Sequence, residues 1–122
     1  MLSVSASSGF APCPAPFNLA AHVLGRAADL GDKTALAIVG PDSVEAWRFD
    51  QLEAAVRGTA TGLLGIGLRP GDFVLMRLGN TVDFPLAYLG ALAAGLVPVP
   101  TAAALTEPEV AAIIATLAPK SV

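Results

Sequence analysis

The spacing of apolar residues predicts the elements of this chain. Between Asp72 and Pro100, short apolar runs flank a longer one. Phe73 to Leu78 predicts a strand, Phe84 to Ala94 a helix, and Leu96 to Val99 a second strand. Asn80, Thr81 and Asp83 offer capping oxygens, and Gly95 marks the helix end. Two apolar strands joined by a helical crossover predict a right-handed parallel unit. The helix is apolar nearly all round (Phe84, Leu86, Tyr88, Leu89, Leu92), which predicts protein on both of its faces.

The rest of the pattern surrounds that unit. Asn18 caps a predicted helix whose apolar positions are Leu19, Val23, Ala27 and Leu30, with Gly31 just past its end. Thr34 to Val39 predicts a strand, Gly40-Pro41-Asp42-Ser43 a turn, and Val44 to Phe49 a returning strand, so the pair predicts a hairpin. Asp50 caps a helix running to about Leu64, with Leu52, Ala55, Val56, Thr59, Ala60, Leu63 and Leu64 as one stripe. Arg69-Pro70-Gly71-Asp72 turns into the central strand. After Pro100, Thr106 and Glu109 form a capping box with Pro108 in the first turn. Val110, Ile113, Ile114 and Leu117 then repeat at helical spacing, and Pro119 stops that helix. The fold class is α/β: a partial doubly wound sheet with a parallel β-α-β core plus a β-hairpin.

Composition sharpens this picture. The 122 residues are 54% hydrophobic and only 14% charged. A free-standing small domain is usually about a quarter charged, so some apolar surface is expected to meet partner protein. The partner is the remainder of the same chain or a second subunit. The chain's end at Lys120-Ser121-Val122, where a next strand is due, reads as truncation. A formal charge of −3 gives no reason to expect nucleic acid. The single Cys13 rules out an internal disulfide and fits a reducing compartment, the cytoplasm. The first residues lack a basic region and a long apolar run, so no secretory signal is expected. Small residues with Pro12, Pro14 and Pro16 make residues 1–16 a flexible leader. No charge occurs between Phe84 and Thr106, a stretch long enough to span a bilayer. Pro85, Gly90, Gly95, Pro98 and Pro100 break that run, so burial in an α/β core is expected and membrane insertion is not.

Candidate chemistry is sparse. Gly62-Leu63-Leu64-Gly65-Ile66-Gly67 is glycine-rich but closes a helix, where phosphate binding needs a helix start. His22 is expected at a surface, with no nucleophile or carboxylate motif directed at it. Trp47 and Phe49 read as core or interface aromatics rather than as a stacking platform. Asp29, Asp32, Asp42, Asp50, Asp72, Asp83, Glu107 and Glu109 mostly fall at turns and caps. No catalytic, cofactor-binding or metal-ligating residue is assigned.

Taken in order, the segments resemble the N-terminal subdomain of the AMP-forming acyl-CoA synthetases, the adenylate-forming superfamily. The matching pieces are Phe17-Asn18-Leu19-Ala20, Gly31-Asp32-Lys33-Thr34-Ala35-Leu36 and Trp47-Arg48-Phe49-Asp50-Gln51-Leu52. They continue with Gly65 to Val74, Asn80-Thr81-Val82-Asp83-Phe84-Pro85, Leu89 to Pro100, and Leu105-Thr106-Glu107-Pro108-Glu109-Val110. Asp-Phe-Pro and Val-Pro-Val-Pro look more like the acyl- and aryl-CoA ligase branch, benzoate-CoA ligases among them. The resemblance implies residues 17–122 as an N-terminal α/β subdomain cut before the phosphate loop. For the full-length parent it implies ATP, Mg²⁺ and CoA as cofactors and a carboxylic acid as substrate. The carboxylate would attack the α-phosphate of ATP, releasing pyrophosphate, and the CoA thiol would then displace AMP. The phosphate loop, acyl pocket and catalytic lysine of that family lie downstream, so the 122 residues alone are expected to be inactive. Gln51 stands where the family often has Glu. Thr101-Ala102-Ala103-Ala104 stands where relatives often place an Asn or a basic residue. Three alternatives stay open: an adenylation domain loading a carrier-protein thiol, a natural short α/β protein acting as a non-catalytic interaction module, and an unrelated doubly wound domain.

Overall fold

The computed structural model describes residues 9–118, and elements are numbered in chain order. Residues 9–16 carry no helix or strand and are exposed. The rest of the leader, Pro119, and the strand expected after it lie outside the described residues.

β3 (Phe73–Met76) and β4 (Val97–Pro100) pair in parallel, with Phe73 opposite Val97 and Met76 opposite Pro100. α4 (Asp83–Ala93) makes the crossover between them. The entry turn is built from its own sequence: Asp72 N–H donates to Arg69 O, and Arg69 N–H donates to the Asp72 carboxylate at 2.9 Å. Gly71 there has φ +92°, a conformation that side-chain-bearing residues rarely adopt. Val74, Met76, Leu68, Ala91, Ala94 and Leu96 form one buried cluster between β3, β4 and α4.

α3 (Phe49–Gly65) packs along α4, and together they hold a second cluster of Leu24, Leu52 and Val56, flanked by Leu36, Leu86 and Leu89. α4 also meets α1 (Leu19–Leu24), β3 and β4, so protein lies around most of it, as its apolar circumference requires. β1 (Thr34–Val39) and β2 (Val44–Arg48) form the antiparallel hairpin, closed by Gly40 N–H on Ser43 O. The first backbone donors of α3 are satisfied by that region, with Phe49 N–H on Lys33 O and Asp50 N–H on Gly31 O. α5 (Glu107–Leu117) follows β4, and the N–H and hydroxyl of Thr106 both donate to the Glu109 carboxylate, at 2.8 and 2.7 Å.

Several local expectations are corrected. The first helix is broken in two, α1 and α2 (Ala27–Leu30), around Gly25 and Arg26. Its buried residues are Ala20, Leu24 and Ala27, whereas Leu19 and Val23 are exposed. The helix turns Ala20 and Leu24 inward, where α1 lies against α4. β3 stops at Met76 rather than Leu78, and β4 runs one residue past Val99. Phe49 opens α3 instead of closing β2, and the N-cap is Arg48, not Asp50. Asp50 sits in the first turn, pairing with the Arg48 guanidinium at 2.9 Å and accepting from Gln51 N–H. Gln51 reaches back to accept from Arg48 N–H at 3.0 Å, so the amide does the capping work of a glutamate. No side chain caps α4; the Thr81 hydroxyl donates to Asp83 instead. Among the described residues no helix is long and apolar enough to cross a membrane.

Candidate functional site

In open α/β sheets, ligands sit beyond the carboxyl ends of the strands. At that edge the chain places Arg77, directly after β3, and the loop from Thr101 to Thr106, directly after β4. Thr101 ties the two together: its N–H and its hydroxyl both donate to Met76 O, at 2.9 and 2.8 Å. Arg77 Nη2 then donates to Ala103 O at 3.1 Å and to Leu105 O at 2.8 Å. A cation thus organises a loop whose middle, Ala102 to Leu105, has no side-chain donor of its own. This arrangement escaped the sequence reading. An arginine after a strand carries no periodic signal, and its acceptors are backbone carbonyls more than twenty residues away.

A groove of about 700 Å³ lies between α1–α2 and α3. Ala20, Leu24 and Val56 contribute to its apolar wall, and Glu53 and Arg57 pair at its rim at 2.7 Å. Asn18 stands at one end, its amide donating to Leu92 O at 2.9 Å while its oxygen accepts from Ala21 N–H at 3.1 Å.

The residues weighed in the sequence are scattered. His22 is exposed, with its ring 5.3 Å from that of Phe17. Trp47 is half-buried, and its Nε1 donates to Glu45 at 2.7 Å. Phe49 is half-buried and Cys13 exposed. The glycines at 62, 65 and 67 fall at the C-terminal end of α3. Asp50, Asp72, Asp83 and Glu109 are engaged at turns and helix starts. The Arg48 guanidinium holds the Asp50 carboxyl below the ordinary carboxylate range. The Thr106 hydroxyl and N–H do the same for Glu109.

These residues can be tested against the nucleotide and metal that the resemblance implies. The first turns of α3, α4 and α5 each already carry a carboxylate: Asp50, Asp83, and Glu107 with Glu109. A triphosphate at any of these helix starts would face negative charge where it needs open N–H donors. Among the described residues no three His, Cys, Asp or Glu gather into a metal site. The described residues do not fit ATP with Mg²⁺, and Arg77 Nη2 is committed to two backbone carbonyls.

Comparison with known proteins supplies the identity that this geometry lacks. The family model for AMP-binding enzyme matches residues 25–122. Benzoate–CoA ligase of Thauera aromatica is 34% identical over 112 residues, which make up 87% of this chain and 20% of that protein. Among solved structures, a benzoate CoA ligase from Burkholderia xenovorans LB400 superposes with TM-score 0.76 at 29% identity, covering 85% of this chain and 20% of that one. The fatty acyl-adenylate ligase from L. pneumophila, solved with acyl adenylate and pyrophosphate, gives TM-score 0.78 at 25% identity, covering 84% and 19%. The chain spans about a fifth of the length of these relatives. With the family model matching from Gly25 onward and the same strand-helix-strand frame in the solved ligases, the chain belongs to the AMP-binding enzymes, the adenylate-forming ligases.

Proposed function

We propose that this chain is the N-terminal scaffold of an ATP-dependent, AMP-forming acyl- or aryl-CoA ligase of the cytoplasm. It joins a carboxylic acid to CoA, with Mg²⁺ as the metal cofactor. The observation that carries this reading is the ordered match over residues 25–122, together with a benzoate–CoA ligase relative aligned along 87% of the chain. The chain's own contribution is architectural. β3, α4 and β4 set the carboxyl edge, and Arg77 fixes the loop that borders it. The starts of α3, α4 and α5 are closed to phosphate by their carboxylates, which supports a nucleotide site built from residues outside those described. On this reading the 122 residues alone adenylate nothing. A second reading, an adenylate handed to a thiol other than CoA, is favoured by the likeness to the fatty acyl-adenylate ligase.

The test is pyrophosphate release by the full-length gene product with ATP and a panel of aromatic and aliphatic carboxylates, with and without CoA. Release with one carboxylate, followed by CoA-dependent thioester, is the expected result. Adenylate without thioester selects the second reading. No release with any carboxylate overturns both, and release by the 122-residue chain alone overturns its assignment as a scaffold.

A further inference from the structure

We draw no further inference here: the strongest candidate, the face of the β1–β2 hairpin on which Ala37, Val39, Val44 and Ala46 form an exposed apolar patch, carries nothing because nothing in the structure shows what covers it.

Discussion

Gly90 of α4 lies face to face with Thr59 of α3. A Cβ built on Gly90 would stand 2.5 Å from Thr59 Cγ2 and 2.7 Å from Thr59 Cβ. The absent side chain is what lets the two helices approach, and both buried clusters draw on that approach. In an unconstrained helix, Gly→Ala stabilises by up to about 1 kcal/mol. Here overpacking reverses the sign, so Gly90→Ala is expected to cost about 1–3 kcal/mol in denaturant unfolding. Thr59→Ala removes Cγ2 but keeps the Cβ at 2.7 Å, so it should recover only part of that loss in the double variant. A stabilised Gly90→Ala protein would show that the helices are not in this contact.

Asn18 joins the start of α1 to the end of α4, accepting from Ala21 and donating to Leu92 O. Asn18→Ala removes both bonds and is expected to cost about 1–2 kcal/mol. Asn18→Asp keeps the acceptor for Ala21 but sets a carboxylate against the last carbonyls of α4, where the helix end is negative. The aspartate should therefore lose stability despite being as good a cap as asparagine. Thermal melts of the two variants separate the cap from the cross-bond.

Acid should act first at the helix starts. Glu109 and Asp50 both have folded-state pKa values below their ordinary ones, through Thr106 and Arg48 respectively. A lowered carboxylate pKa adds stability that is present above the unfolded value and is lost as pH falls through the folded one. The loss is therefore expected as pH falls below about 4, and not at higher pH. Both groups are exposed, so the effect is small and screened by salt. Glu109→Gln should flatten the acid limb of an α5 helicity titration, and an unchanged limb would remove Glu109 as its source.

Arg77 should matter to the loop more than to the fold. Its guanidinium is exposed, so Arg77→Met is expected to leave the melting temperature within a few degrees, about 1 kcal/mol or less. The amides from Ala102 to Leu105 should exchange faster, because the cation bridging Ala103 O and Leu105 O is gone.

Much of the fold could be read from local pattern. The strand-helix-strand run from Phe73 to Pro100 combines period with punctuation, and the structure keeps both strands and the helix within a residue or two. The Thr106–Glu109 cap was legible because both partners lie in one turn. What pattern could not give depends on distant partners. The inward turn of Ala20 and Leu24 follows from α4, and the Gly90–Thr59 contact joins residues on different helices. Arg77 belongs to the same class, since its acceptors are main-chain atoms that any residue would supply. The family was legible because many weak segments stood in order. A catalytic constellation was not, because the carboxylates of this region serve turns and caps.

The prolines of β4 also govern how such a unit can stick to itself. Stacking strands into a growing ladder requires each copy to present two competent edges, as a polymer requires bifunctional monomers. The β3–β4 sheet has one at most, because Pro98 and Pro100 lack the N–H donors that a strand added beside β4 would need. Edge-to-edge growth through this sheet therefore cannot pass β4. Built into its border, the sheet carries its own chain terminator.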